Sequence, residues 1–188
     1  METADRWPSP EQWRTAQVVA FYHDNPAWSG ERAGDLDLFL ERGGGLVFLH
    51  WSINAQRDVE LLARRLGRAW GAGSRFRYGL ETLRFQPHEL TAGLETVQFT
   101  DESYWNLKGD MAGATVLATS VEADEPQPQI WIRTHGRGRI FVCIPGHFTW
   151  TLDDPIFRTL VLRGLCWAAG QPSDRLDELA TVGARLAE

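Results

Sequence analysis

Cysteine is scarce in this chain: of 188 residues only Cys143 and Cys166 are cysteine, and both lie inside apolar runs, Phe-Val-Cys-Ile and Leu-Cys-Trp. That rules against a disulfide framework and against a cysteine metal knuckle, and two buried structural thiols are expected. Long apolar runs are missing as well. None approaches the ~18 residues a membrane-spanning helix needs, so no membrane partner is expected. Basic clusters are also lacking, since 19 Lys and Arg are scattered among 25 Asp and Glu for a net charge of −6, and nucleic acid is disfavoured as a partner. No H-E-x-x-H or comparable local metal spacing occurs, and no cofactor is expected. Met1 to Gln17 carries Pro8, Pro10 and five charged residues in place of a secretory hydrophobic segment, and the compartment stays open.

What is present suits one core of ordinary size. The chain is 43% hydrophobic and 23% charged, and a single domain over 1–188 is expected, with an irregular segment at 1–15 and a helical tail at 171–188. Ala16 to Tyr22 reads as a strand stopped by His23-Asp24-Asn25-Pro26. Leu36, Phe39 and Leu40 mark a helix over Glu31 to Arg42, closed by Gly43-Gly44-Gly45. Leu46 to Leu49 is bare of charge and reads as a strand buried on both faces. A second helix follows, with Asn54 as N-cap and Val59, Leu62, Ala63 and Leu66 as its buried stripe, up to Gly67. This βαβα order predicts a parallel sheet with helices on its faces.

Arg68 to Gly93 reads as a long loop beside the active site with little regular structure. Strands resume at Glu95 to Thr100, Ala114 to Val121, Ile130 to Arg133 and Arg139 to Ile144, and the short turns between the last three predict antiparallel pairing. Asp154 and Pro155 open a long helix whose apolar face includes Phe157, Leu160, Val161, Gly164, Leu165 and Ala168. Ser173 to Ala187 is expected to dock as a tail helix through Leu176, Leu179 and Ala180. Arg158 and Arg163 are expected to pair with surface acids, and His135 to be solvated in its turn.

The ends of four strands carry the polar and aromatic residues, and in parallel sheets ligands bind beyond such ends. One end supplies His23, Asp24 and Asn25, and a second His50 and Trp51. A third supplies Asp101, Glu102, Tyr104 and Trp105, and the last His147 and Trp150. Carboxylates accept hydroxyl hydrogen bonds, imidazoles move protons, and indoles cover an apolar ring face, which together is the equipment of a sugar site. The bland alternative makes the tryptophans core residues, Glu102 a turn cap and His147 a loop-ordering group.

Gly43 to Trp51, Asp101-Glu-Ser-Tyr-Trp105, Gly136 to His147, Asp153 to Arg158 and Arg163 to Gly170 resemble the trehalose-utilisation (ThuA-like) family, over about Val18 to Gly170. The resemblance implies an α/β, flavodoxin-like fold of the class I glutamine amidotransferase-like superfamily, with a mostly parallel sheet and helices on both faces. It further implies that His147 stands where that superfamily keeps its catalytic histidine, while the elbow around His50 has no cysteine, so glutaminase chemistry is not expected. Family members usually open with a strand, a glycine- and histidine-bearing loop, a helix and a second strand ahead of the segment matching Ala16 to Tyr22. Their lack here implies an N-terminally truncated sheet, from a fragment, a mis-started frame or a sheet rebuilt by a second copy in a homo-oligomer.

The function implied is binding or conversion of a sugar or keto-sugar. His50, His147 and Glu102 are the catalytic candidates. Asp24, Asn25, Trp51, Asp101, Tyr104, Trp105 and Trp150 are the candidates for substrate binding. Two other readings stand beside this one. One is a non-catalytic module that binds a glycan or a protein, and the other a metal-assisted hydrolase using His23, His50, His147 and acidic ligands.

Overall fold

The structure is a computed structural model that describes residues 1–5, 7–24 and 28–182. Helix α1 (Pro10–Thr15) lies in the segment expected to be irregular, because Ser9 and Gln12 form a reciprocal capping box. Strand β1 (Val18–Phe21), helix α2 (Gly30–Glu41) and strand β2 (Gly45–Leu49) follow as the apolar periodicity predicts. A 3-10 turn (His50–Ile53) leads into the short strand β3 (Asn54–Gln56) and helix α3 (Val59–Leu66). Asn54 therefore does not cap α3; that position falls to Asp58, and the buried Asn54 amide donates instead to Asp24 Oδ1 at 3.2 Å.

The expected loop between Arg68 and Gly93 is mostly strand: β4 (Arg68–Gly71) and β5 (Arg75–Phe85), then a 3-10 turn at Glu89–Thr91. Its glycines sit at turns and within β5, and do not interrupt the pairing. Strand β6 runs Thr96–Trp105, well past the predicted end at Thr100, and β7 (Lys108–Gly109) adds an edge to β4. Strands β8 (Ala114–Glu122), β9 (Glu125–His135) and β10 (Gly138–Cys143) form two tight hairpins, the first turning through Ala123 and Asp124, both left-handed. Helices α4 (Thr149–Asp153) and α5 (Pro155–Ala168) complete the chain with a 3-10 stretch at Ser173–Leu179. That stretch replaces the start of the expected tail helix, and 183–187 of the tail lie outside the described residues. Asp154 caps α5 through Ile156 N and Phe157 N, Arg158 pairs with Asp153, and Arg163 pairs with Asp177. His135 stands 3.7 Å from Asp37.

The main sheet has seven strands in the order β1-β2-β10-β9-β8-β5-β6. Only β1 with β2 and β2 with β10 pair parallel, and every later pair is antiparallel. The expectation of a mostly parallel, flavodoxin-like sheet is corrected accordingly: the fold is α/β with a curled, mixed sheet. The hairpin turns are too short for a crossover helix, and a parallel neighbour needs one. In the parallel part, side chains alternate between two cores. Leu46, Phe48, Ile140 and Val142 face α2 and α3, while Val47, Phe141 and Cys143 face α5. Gly45 is required there, because a Cβ would stand 2.3 Å from the Ala168 carbonyl oxygen on α5.

β5 pairs with β8 only at Arg84 and Phe85, whereas it pairs with β6 along almost its whole length. The β5–β6 ribbon is therefore free to leave the sheet plane. Four successive antiparallel steps separate β6 from β10, so the two run the same way, and the curl brings the second half of β6 to the carboxyl ends of β2 and β10. The buried Gln129 side chain on β9 fixes this approach by accepting from Tyr104 N at 3.2 Å and donating to Tyr104 O at 2.8 Å, as a strand neighbour would.

Under the ribbon lies Glu81, fully buried, with no hydrogen-bond partner on either carboxyl oxygen. Ser120 donates to Glu122 at 3.1 Å and Arg77 pairs with Glu122, and their pull on Glu81 is smaller than the effect of its burial. Burial first, then the charges of Asp101 and Glu122, push its pKa up to about 8. Between the ordinary value of 4.5 and about 8 the folded chain keeps a proton that the unfolded chain has released. Stability is thus full at acid pH and falls as pH rises through that window, on the order of 1 kcal/mol per pH unit. Glu81→Gln should remove this slope and leave the variant more resistant to urea than the parent at pH 8. Equal pH slopes in the two proteins, from urea midpoints at pH 5, 6.5 and 8, would sink this account.

Candidate functional site

The cleft is built by β1, β2, β10 and the curled end of β6. β2 ends at Leu49, and His50 opens the following turn with φ at +50°, a left-handed conformation that a non-glycine residue adopts only at a cost. Its Nδ1–H donates to Ile144 O at 2.9 Å, since a carbonyl only accepts, and a neutral His50 therefore carries an accepting lone pair on Nε2, with the Tyr104 hydroxyl 3.2 Å away. Beyond β10, the turn Pro145-Gly146-His147 is held by Asp101. The Asp101 carboxylate, 1% exposed, accepts from Glu102 N at 2.7 Å, His147 N at 2.9 Å and Gly146 N at 3.2 Å. Tyr22 adds a hydrogen bond from its hydroxyl to Gly146 O at 2.9 Å. Gly146 has φ of +130°, and a Cβ there would meet the Phe157 ring at 3.1 Å, so no other residue fits this turn unstrained.

Three donor atoms meet at the floor. His50 Nε2 lies 3.0 Å from His147 Nδ1 and 3.2 Å from Glu102 Oε2, and His147 Nδ1 lies 3.1 Å from the same oxygen. Behind them the Tyr104 hydroxyl donates to Glu102 Oε2 at 3.2 Å. Burial, and then the Glu102 charge, hold the Tyr104 phenol above its ordinary pKa, so it remains a hydrogen-bond donor. His50 and Glu102 are buried, while the His147 ring is about a third exposed and forms the lip. Tyr78 packs on the His147 ring at 5.1 Å; partial desolvation, then the charge of Glu102, raise its phenol pKa. The cavity above encloses about 540 Å³ and is lined by Tyr22, His23, Asp24, His50, Trp51, Phe76, Tyr78, Glu102 and His147.

His23 differs from the other two histidines of the cleft. Both its ring nitrogens are buried without a hydrogen-bond partner, and burial, then Arg32, lower its pKa. Its lowered pKa favours the neutral imidazole, with both nitrogens enclosed at the edge of the cavity.

Of the residues singled out in the sequence, His50, Glu102 and His147 are brought together, and Asp24 and Trp51 line the same cavity. Asp101 and Tyr104 lie beneath it as supports. Trp105 is elsewhere, bordering a depression of about 560 Å³ with Arg68, Arg75, Asn106, Leu107, Ala123 and Gln127. It follows Tyr104 in an extended strand, and neighbouring side chains of a strand point to opposite faces. Trp150 is half-exposed, stacks on Phe148 at 4.2 Å, donates to Thr100 O at 2.7 Å and does not line the cleft. Asn25 lies outside the described residues. Tyr22, Phe76 and Tyr78 were not anticipated. The alternation Phe76, Tyr78, Leu80 is the signal that could have revealed a strand there.

The sequence profile of the trehalose-utilisation (ThuA) family matches residues 3–168. No curated protein matches the chain in sequence. Among solved structures, a ThuA-like protein of Parabacteroides merdae superposes with a TM-score of 0.70 at 22% identity, covering 85% of this chain and 73% of that one. A ThuA-like protein of Bacteroides uniformis gives 0.65 at 13% identity, over 87% of this chain and 75% of that one. A β-galactosidase of Bacillus circulans sp. alkalophilus gives 0.55 at 13% identity, covering 83% of this chain and 22% of its own length. At these identities the structural likenesses show the fold alone.

Asp101→Asn replaces one of three accepting contacts by a donor and removes the charge. The expected cost is about 2–3 kcal/mol for hydrogen bonds to a buried charge. It would be read as a lower urea midpoint with an unchanged m value. A loss within about 0.5 kcal/mol, the range of a neutral surface change, would show that the Gly146-His147 turn stands without Asp101.

Proposed function

The chain belongs to the trehalose-utilisation (ThuA) family, and on that premise we propose that the cleft binds and converts a sugar or keto-sugar, with His50, Glu102 and His147 at the reacting oxygen. Membership points to a role in carbohydrate metabolism. The observation that carries the finer reading is the juxtaposition of this cluster with aromatic walls: Trp51, Phe76 and Tyr78 offer faces to the C–H side of a sugar ring. His23 and Asp24 offer hydrogen-bond partners to its hydroxyls.

His50 Nδ1–H donates to Ile144 O, and the Tyr104 hydroxyl lies 3.2 Å from both Glu102 Oε2 and His50 Nε2, so a proton can be passed among His50 Nε2, His147 Nδ1 and Glu102 Oε2. Such a group can give a proton to a carbonyl oxygen and take one from an adjacent carbon or hydroxyl, the step common to isomerisation, enolisation and hydrolysis beside a keto group. Thiolate chemistry is not supported. Cys143 is fully buried, burial drives its thiol well above the ordinary pKa, and its Sγ faces Pro145 O.

The test is a thermal melt of the chain against a panel of sugars and keto-sugars, followed by product analysis for any that bind. A sugar at about 100 times its Kd should add close to 2.7 kcal/mol of native-state stability, a readily measured rise in Tm. Trp51→Ala should lose that rise, and Glu102→Gln should keep most of it while turnover drops by about 10²–10⁴-fold. A cooperative melt that no sugar moves would overturn the reading. Binding without turnover would leave the cleft a glycan-binding module.

A further inference from the structure

We propose that His50 Nε2, His147 Nδ1 and Glu102 Oε2 form one face of a binding site for a divalent transition-metal ion, zinc foremost. The cation site stands on these three atoms; only its use, polarising an oxygen of a bound sugar, rests on the reading above.

The geometry is that of a coordination face. The three atoms form a nearly equilateral triangle with sides of 3.0, 3.1 and 3.2 Å. An ion at the usual 2.0–2.2 Å from imidazole nitrogen and carboxylate oxygen would sit roughly 1 Å out of their plane. The angles between its bonds would be about 90–100°, nearer an octahedral face than a tetrahedral one. No side chain has to move. Two imidazoles and one carboxylate suit zinc and its first-row neighbours in place of magnesium or calcium, which prefer oxygen alone.

The surroundings are those of a metal centre too. His50 is fixed by donating its other ring N–H to a backbone carbonyl, Ile144 O, which orients the ring and selects the tautomer with Nε2 free. The Tyr104 hydroxyl holds the Glu102 oxygen in place. Two further features favour a cation over a proton. The three donor atoms converge within 3.2 Å of one another, two of them on buried side chains, and a doubly charged ion would engage all three at once. The ligands line the cleft, so the positions the protein leaves vacant open into the 540 Å³ cavity. A carbonyl oxygen and a neighbouring hydroxyl of a sugar would fill two adjacent positions, and the ion would replace the proton as the electrophile.

The ligands come from three separate elements, the turn after β2, β6 and the turn after β10, which is why no local spacing in the sequence announces them. His23, named in the sequence as a ligand of a metal-assisted hydrolase, is not part of the triangle.

The experiment uses the full chain, stripped with a chelator, dialysed, and titrated with Zn²⁺ by calorimetry and with Co²⁺ by visible absorption. The expected result is one ion per chain, a raised melting midpoint and weak cobalt d–d bands of the octahedral kind. Affinity should fall at least tenfold to a hundredfold in Glu102→Gln and in His147→Ala. It should be unchanged in His135→Ala, a histidine outside the cluster. Cooperative melts of the variants without metal establish that they fold. A parent chain that binds no zinc at micromolar concentration, or variants that bind as well as the parent, would overturn the site. Repeating the sugar melts with and without zinc separates the two proposals. Zinc bound with no sugar response upholds the metal face and sinks the sugar reading, whereas a sugar response in a chain that binds no zinc does the reverse.

Discussion

Asp101 accepts hydrogen bonds from the backbone of its own strand and from a turn 45 residues further on, and the relative placement of Glu102 and His147 follows from that one carboxylate. Through it the backbone of β6 and the backbone of the turn after β10 are tied to one side chain. A buried carboxylate with three N–H donors is an inexpensive way to hold such a junction, because the charge it buries is spread over donors that are themselves in need of partners. The arrangement also explains the direction of the shift at Glu81. Glu81 is buried beside the carboxylates of Asp101 and Glu122, and burial first, then those two neighbours, raise its pKa.

The curl of the sheet is the second constraint, and it makes the first one reachable. A flat continuation beyond β10 would carry β6 five strand positions away from β2 and the His50 turn. β5 instead touches β8 only at its last residues, and the ribbon folds back over the strand ends. Breaking the ladder there exposes backbone groups, and the Gln129 amide supplies what a neighbouring strand would have supplied to Tyr104. The wall carrying Phe76 and Tyr78 is thus a product of the same departure from the sheet that brings in Glu102.

Much of the parallel half could be read in advance, because its strands are short uncharged runs and its helices carry clear apolar stripes. The strand-end rule led to His50, Glu102 and His147, although the reason offered was incomplete. β6 does run with β2 and β10, but it reaches them by curling and not by lying beside them. The antiparallel half was harder to read. The turns read at Glu122 to Pro128 and His135 to Gly138 tighten to Ala123-Asp124 and Gly136-Arg137, and their consequence, a mixed sheet, is not visible in the βαβα pattern ahead of them. β5 was lost because its glycine at position 79 and its flanking turns resemble a loop, although the alternation continues through them. Trp105 falls outside the cleft through face parity. What local patterns do not contain is the long-range register that decides which face of a strand looks into a cavity.

The left-handed His50 is the feature that ties strain to function. A β-strand that ends in a residue at φ of +50° costs on the order of 1–3 kcal/mol and persists only where the surroundings over-determine it. Here they do: the Nδ1–H bond to Ile144 O fixes the ring from one side, and the backbone runs on into a 3-10 turn that is closed by the buried Ile53 on the other. The return on that strain is direction. An extended residue at this position would continue the alternation of β2 and send its side chain into one of the two apolar cores, where an imidazole would have to bury both nitrogens. The sharp turn swings the ring out of the alternation and aims Nε2 at Glu102 and His147, while Nδ1 stays satisfied. The conformation is what sets Nε2 3.0 Å from His147 Nδ1 and 3.2 Å from Glu102 Oε2.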